Sequence, residues 1–543
     1  MGNTWSRREF LEFLGRAALS VEAVSFLTGN PLAKAMSSSS LGFAPLEPTS
    51  ADAVSLAEGF DHSVLIGFGD AINEKESFGH NNDYLAFTPM KPGVTNDGVL
   101  WVNHEYPEPF FLVSGYDGSQ PRTKAQLEKE RAAVGGSLIR VTETKGKWKV
   151  RKNDPLNRRL DANTPIPFAW PEAIGGAKQA LGTMANCAGG QTPWRTVLTA
   201  EENFQDYYGD IDSKGKWTAG RYGWEKLEKR SPFHYGWVVE VDPFTGKAKK
   251  LVSLGRFCHE GATVTKAKDG RAVVYSGDDA NDQCFYKFVA DKADSLEKGT
   301  LYVADTEKGK WLALDWASQP KLKKAFKNQT EVLVFAREAA HLLGATKLDR
   351  PEDVEVDPRT GHVIVALTNN APKNNHFGQL MKIEEKGGDA AALEFKASTL
   401  LAGGPENGFA CPDNLAFDPN GNLWMTSDIS GSSIGKAPYE KFGNNGLFVI
   451  PAEGSFAGKV IQVASAPVDA EFTGPAFSPD GKTLFLSVQH PGEKSKGPNK
   501  LTSHWPEGGK SAPKASVIAV SGDNLKRLAM VQGDSTVGKK VAE

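Results

Sequence analysis

The 543-residue chain is poor in cysteine, with four in all, too few to staple a scaffold of this size with disulfides. Charge of one sign is missing too. Lys and Arg number 63 against 66 Asp and Glu, a net −3, which excludes a global basic field for nucleic acid. No run after the N-terminus is long and apolar enough to cross a bilayer, so stable membrane insertion is not expected. His-Glu-x-x-His and the P-loop are both absent, which removes the zinc-hydrolase and NTPase readings. What is present is ordinary globular usage, 40% hydrophobic and 24% charged, with 56 Gly and 31 Pro that call for many short elements and turns. The 29 Phe, 12 Trp and 11 Tyr can fill a sizeable core.

The N-terminus reads as an address. Arg7-Arg8 followed by Phe10 and Leu11 resembles a twin-arginine export signal, the run from Leu14 to Leu27 is only weakly apolar, and Ala33-Lys-Ala35 fits a cleavage site. Residues 1–35 are therefore expected to engage the twin-arginine export machinery and to be removed, leaving a periplasmic or secreted protein. Residues 36–55 are read as a flexible linker and 56–543 as one domain with insertions.

Within that domain a β-rich run, an Asp-Pro or Pro-Asp turn with Gly, and a second β-rich run recur. They stand at Asp242-Pro-Phe-Thr-Gly246, Asp357-Pro-Arg-Thr-Gly361, Asp418-Pro-Asn-Gly421 and Pro479-Asp480-Gly481, with weaker copies at Asp97-Gly98, Thr196 and Asp269-Gly270. Glycine supplies the positive φ such hairpin turns need. Asp357, Asp418 and Asp480 lie 61 and 62 residues apart, longer than the usual blade period of about 40–50, so each blade carries an insertion. The expected fold is all-β, a six-bladed β-propeller with long inserted loops and a few short helices. Helical signal falls at Thr123 to Ala133 and Lys321 to Lys327.

Acidic clusters recur at the strand ends: Asn103-His104-Glu105, Asn186-Cys187 with Glu201-Glu202-Asn203 behind it, His259-Glu260-Gly261, Asp278-Asp279, Arg350-Pro-Glu352-Asp353 with Glu355, and Pro412-Asp413-Asn414. In a propeller these ends converge on one mouth of the channel, and several like charges persist together only when a cation neutralises them. Oxygen-rich sites suit calcium, and carboxylates with a thiolate suit iron. Cys187, in a Gly-rich polar loop, is a candidate ligand. Cys258, Cys284 and Cys411 are small core residues or include one oxidised pair. Arg337 and Arg350 are cations near the acidic set that could bind an oxyanion.

Together these motifs resemble the PhoX-type alkaline phosphatases. The resemblance rests on Asn103 to Tyr106, Asn186 to Asn203, His259 to Gly261, Gly277 to Asp279, Arg350 to Asp353, Pro412 to Leu415 and Gly474 to Gly492, seven motifs in one order across residues 60 to 495. It implies a propeller whose channel holds Fe3+ and Ca2+ and hydrolyses phosphate monoesters through a metal-bound oxo or hydroxide. The implied metal ligands are Cys187, Glu105, Glu202, Glu260, Glu352, Glu355 and Asp413, with Arg350 and Arg337 holding the substrate. The expected partners are small phosphorylated substrates, with the protein acting as a monomer. Pro412 to Trp424 also resembles calcium-dependent lactonase and arylesterase propellers, and a non-catalytic exported propeller with structural calcium is the third reading.

Overall fold

The computed structural model describes residues 42–113, 116, 121–497 and 499–529, so the twin-arginine motif lies outside the described residues. Among those residues no helix is long and apolar enough to cross a membrane.

Six antiparallel sheets form the blades. Blade 1 is Asn82–Pro89, Asp97–His104, Gly135–Thr144 and Lys147–Val150, with Arg158–Leu160 beside its third strand. Blade 2 is Asn186–Gln191, Val197–Glu201, Val238–Val241 and Ala248–Leu251. Blade 3 adds a fifth strand to its four: His259–Lys266, Ala272–Asp278, Phe285–Ala290, Gly299–Asp305 and Lys310–Ala313. Blade 4 is Pro351–Val356, Val363–Leu367, Gln379–Glu385 and Phe395–Ala402. Blade 5 is Pro412–Phe417, Leu423–Ser427, Gly446–Ile450 and Ile461–Ser465, edged by Ser55–Leu56. Blade 6 takes Glu471–Phe477, Leu484–Gln489 and Ser516–Ser521 from one end of the chain and Asp61–Gly67 from the other. The first strands of successive blades touch in a closed circle, blade 6 against blade 1.

Closure leaves each blade buried on both faces, which is why the strands read as near-continuous apolar runs. Between blades 1 and 6 the core packs Leu85, Leu100, Ile139 and Trp148 onto Phe485 and Val517. Between blades 3 and 4 it packs Val273, Tyr275 and Trp311 onto Val363, Met381 and Phe395.

The turn aspartates do the expected work. The Asp357 carboxylate accepts from Arg359 N at 2.8 Å and from Thr360 Oγ1 at 2.9 Å, and Gly361 closes the turn at φ 72°. Asp357, Asp418 and Asp480 join the first two strands of blades 4, 5 and 6, whereas Asp242 joins the last two strands of blade 2. Residues 42–55 depart from the linker reading. Phe43 and Val54 are buried, Leu46 N donates to Gln462 O at 2.9 Å, and Ser55 pairs with Ser465. The expected helices form at Lys124–Ala133, capped by Thr123 and Gln126, and at Pro320–Ala325. Ala336–Leu343, which carries Arg337, is helical without having been expected.

Two long inserts rise from the channel mouth between second and third strands, the described residues of 105–134 in blade 1 and residues 202–237 in blade 2. Their aromatic side chains pack into one core with Leu127, Tyr207, Tyr208, Tyr222, Trp224 and Tyr235. This core raises a wall beside the channel.

Candidate metal centre

Every first strand begins with the same irregularity. Its pairing with the second strand slips by one residue after Asn82, Asn186, Glu260, Pro351, Pro412 and Thr473. A bulge adds a residue on one side and re-aims the side chains around it. Asp83, Cys187, Glu352 and Asp413 stand at the bulge in blades 1, 2, 4 and 5. In blades 3 and 6 the bulge holds Gly261 and Gly474, and the acid comes earlier, as Glu260 and Glu471. The residue before the first strand is left-handed in four blades: Asn81 (φ 47°), Ala185 (55°), Arg350 (51°) and Cys411 (51°).

A second ring follows from the same frame. The residue just after each second strand is Glu105, Glu202, Asp279, Thr368, Asp428 or His490. Five of these donate a backbone N–H to the carbonyl that precedes the first strand of the same blade. The bonds are Glu105 to Asn81 at 3.0 Å, Glu202 to Ala185 at 2.8 Å, Asp279 to Cys258 at 3.0 Å, Thr368 to Arg350 at 3.1 Å and Asp428 to Cys411 at 2.9 Å. The two rings stack at the channel mouth, and all of their members except Glu260 and Thr368 line a cleft of about 320 Å³.

Three sets of ligand atoms lie within 4.8 Å of one another: Asp83, Glu105 and Cys187; Cys187, Glu202 and Glu260; Glu260, Glu352 and Asp413. Cys187 and Glu260 each belong to two sets, so the three sets form one connected chain of donors. The Cys187 thiol lies 3.2 Å from Asp83 Oδ2 and 3.6 Å from Glu260 Oε1.

Buried acceptors that end on nothing mark the same place. Asp83 Oδ1, Glu260 Oε2 and Glu471 Oε2 are buried with no hydrogen-bond partner. Such an atom costs about 1–3 kcal/mol, and a cation is the partner that relieves several at once. Burial, reinforced by Glu352, Asp413 and Asp83, pushes the Glu260 carboxyl well above the usual range. Burial, with Asp83, Glu260, Glu105 and Glu202, does the same to the Cys187 thiol. A thiol among carboxylates is a donor set that fits iron, and the oxygen-only set around Glu260 fits calcium.

The expected residues divide. Glu105, Cys187, Glu202, Glu260, Glu352 and Asp413 come together. Glu355 does not join them. It lines a separate opening of about 500 Å³ with Tyr84, Gln191 and Asp353. It follows Glu352 by three residues along a strand that rises about 3.3 Å per residue, so it stands about 10 Å farther down the channel. Arg350 lines the cleft. Its Nε and Nη2 donate to Asp279 Oδ1 and Oδ2 at 2.8 and 2.9 Å, and Nη2 also reaches Glu352 Oε1 at 2.7 Å. Arg337 does not line the cleft. Its guanidinium forks onto Asp278, with Nε at 2.8 Å from Oδ2, one layer behind Asp279.

The histidines of the two His-Glu pairs are fully committed inside the blades. His104 meets His80 O and Ser137 Oγ, and His259 meets Ser276 Oγ and Gly255 O. All four cysteines are free thiols, and Cys258, Cys284 and Cys411 are buried as core residues. The letters Gly-x-Ser-x-Gly occur at Gly431 to Gly435, in a turn without a following helix, so Ser433 is no nucleophile elbow.

Asp83, Asp428, Glu471 and His490 also belong to the two rings, although no ligand role for them follows from the sequence. Their signal is positional: once the blades are phased on the bulge and on the end of the second strand, each falls on a ring.

Fold and cleft together define a class, a β-propeller whose channel mouth carries carboxylates and a thiol in metal-binding arrangement. The family model "Alkaline phosphatase PhoX" matches residues 41–492. The chain belongs to this family, and it is a phosphatase of PhoX type. The structure of Pseudomonas fluorescens PhoX in complex with vanadate, a transition state analogue, is 30% identical and superimposes with a TM-score of 0.80, covering 90% of this chain and 99% of that one. A luciferin-regenerating enzyme (10% identity, TM-score 0.34, covering 87% of this chain and 99% of that one) and a gluconolactonase-like protein (11%, 0.22, 62% and 86%) are too distant to carry an argument. A search of curated protein sequences matches nothing.

Proposed function

We propose that this phosphatase is exported, acts as a monomer on small phosphate monoesters, and depends on Fe3+ and Ca2+ held at the channel mouth. The carrying observation is the connected donor chain through Cys187 and Glu260, with its unpartnered buried oxygens. Cys187 with Asp83, Glu105 and Glu202 would hold iron, and Glu260, Glu352 and Asp413 would hold calcium. Bound there, the ions would offset the charge that develops on the phosphoryl oxygens and activate water for attack.

The chain's own part is to bind and orient. Asp279 and Glu352 fix the plane of Arg350, and Nη1, which takes none of those bonds, is the donor offered to a phosphate oxygen. Arg337 acts one layer behind, holding Asp278 at the end of its strand. Tyr106, packed against the aromatic core of the two inserts, lines one side of the cleft. Hydrolysis forms a bond from water oxygen to phosphorus and breaks the ester P–O bond, and the leaving oxygen departs with a proton. The vanadate bound to the Pseudomonas fluorescens protein supports an oxyanion in this cleft.

The thiol among the donors favours this reading over a calcium-only lactonase, and membership of a phosphatase family removes the non-catalytic one. Elemental analysis of purified protein, paired with p-nitrophenyl phosphate turnover, tests it. Iron with calcium and phosphate release is the expected result, and calcium alone would overturn the iron assignment. Export is tested by Arg7→Lys with Arg8→Lys, which should abolish periplasmic yield.

A further inference from the structure

Beside the metal cleft lies a second cleft of about 530 Å³, built between the inserts of blades 1 and 2. Glu108 and Arg221 line both, so the two spaces adjoin. Their electrostatics are opposite. The metal cleft is lined mainly by carboxylates, whereas the second is lined by Arg122, Arg221 and Lys226 against the single carboxylate of Glu108.

The three cations are not equivalent. Arg122 is already spoken for, since its Nε donates to the buried Glu130 at 2.8 Å and its Nη1 donates to Tyr222 O. Arg221 is 62% exposed, and its nearest carboxylate, Asp206, is 3.9 Å away. Lys226 is exposed and makes no ion pair among the described residues. Two cations are therefore open to a ligand.

Tyr222 shows what the aromatic wall does. Its ring has the Arg122 guanidinium 5.4 Å from its centroid and that of Arg221 also at 5.4 Å, while Arg221 lies 5.9 Å from the Tyr106 ring. A ring engaged by two guanidinium groups serves to hold the cations in place rather than to stack on a substrate ring. The feature left over is positive charge, placed beside the site where one phosphoryl group reacts.

We infer that Arg221 and Lys226 form a leaving-group subsite that favours phosphate monoesters carrying a second phosphate. The inference rests on the phosphatase reading and names which members of that substrate class are preferred. The scissile phosphate occupies the metal cleft, while the second, which has no metal to meet, lies across Arg221 toward Lys226. Arg221 is a specificity residue in this account, acting on affinity for the leaving group and not on the bond that breaks.

The test compares two probes on the metal-loaded enzyme. Fructose 1,6-bisphosphate has a second phosphate on its leaving group, and glycerol 3-phosphate does not. In Arg221→Ala, the ratio of kcat/KM for the bisphosphate to that for the glycerol ester is expected to fall about two- to fivefold. The fall should appear in KM rather than kcat, and Arg221→Lys should restore part of it. Lys226→Ala should move the ratio in the same direction. A purely structural role would lower both substrates alike, and an unchanged ratio in both alanine variants would overturn the subsite. If the unsubstituted enzyme hydrolyses neither probe, the phosphatase reading falls, and the subsite with it. Turnover of both with an unmoved ratio sinks the subsite alone.

Discussion

Cys187 is the residue on which two of the three donor sets depend, and its thiol is held between Asp83 and Glu260. Replacing it with serine keeps the volume nearly constant but exchanges a soft sulfur for a hard oxygen. Cys187→Ser is expected to lose iron, any thiolate-to-iron colour, and about a hundredfold or more in activity, while its far-ultraviolet dichroism stays the same. Normal iron content and turnover in that variant would remove the thiolate from the site. Glu355→Gln is the matched control, because that side chain lines the other opening. Metal content and turnover should stay within about twofold, and a loss equal to that of Cys187→Ser would return Glu355 to the ligand set. Sequence alone could not part Glu352 from Glu355, since both are acids in one strand and their depth along the channel decides which of them meets the cleft.

At the scale of the element, the bulge is the device that makes a site out of a scaffold. Straight first strands would point alternate residues into the channel at one spacing; the bulges gather Asp83, Cys187, Glu352 and Asp413 at one level. Gly261 shows the constraint directly. Its φ is 76°, and a Cβ there would stand 2.8 Å from Asp353 Oδ1 and 3.0 Å from Val354 Cγ1. Gly261→Val is expected to cost about 1–3 kcal/mol and to shift Glu260, so metal content should fall along with the melting temperature. A variant with reduced stability but full metal content would show that the bulge does not place the ligand. Motif clusters near Gly and Pro exposed most of the first ring, because those residues punctuate strand ends. The rest of the second ring was harder to read. Asp428 and His490 sit in Ser-Asp-Ile and Gln-His-Pro, without an acidic partner beside them, and they become visible only when the blades are superimposed.

For the molecule as a whole, hairpin turn chemistry made the propeller legible, yet it did not phase every blade. An Asp-Pro-x-x-Gly turn marks a hairpin without saying which one, so Asp242 reads like Asp357 although it joins the outer strands of blade 2. Gathering the six blades has an electrostatic consequence at the mouth. Burial, against hydrogen bonds from neighbours, raises Glu105 to about 7, and burial with Asp428 raises Glu471 to about 8. When the folded pKa of a carboxyl is raised, the folded state holds a proton that the unfolded state has released. Without metal, stability is therefore greatest below about pH 4 for these groups and is lost as pH rises toward 8. Chelation should lower the melting temperature by about 5 °C or more at pH 8, and by less at pH 5. A chelator effect that is absent, or larger at pH 5, would contradict a cation-neutralised mouth.

Closure of the circle gives the last prediction. Asp61–Gly67 is the fourth strand of blade 6, pairing along Ser516–Ser521 from Asp61 with Ser521 to Gly67 with Ser516. Without it the third strand of that blade presents unpaired N–H and C=O groups beside an apolar face, an edge that invites pairing with other chains. The core shared with blade 1 would also lose Ile66, which packs near Phe485 and Val517. A chain beginning at residue 68 is expected to aggregate or to melt without cooperativity, whereas a chain beginning at residue 42, which keeps every described strand, should remain cooperative. Size-exclusion chromatography and thermal melting distinguish the two. The early strand matters more than its length suggests because this one seven-residue strand ties the N-terminal part of the chain to the blade built from its C-terminal part, and with it the blade that the first strand of blade 1 packs against. A residue-68 variant that stayed monomeric and melted like the longer chain would show that the other strands hold the circle by themselves.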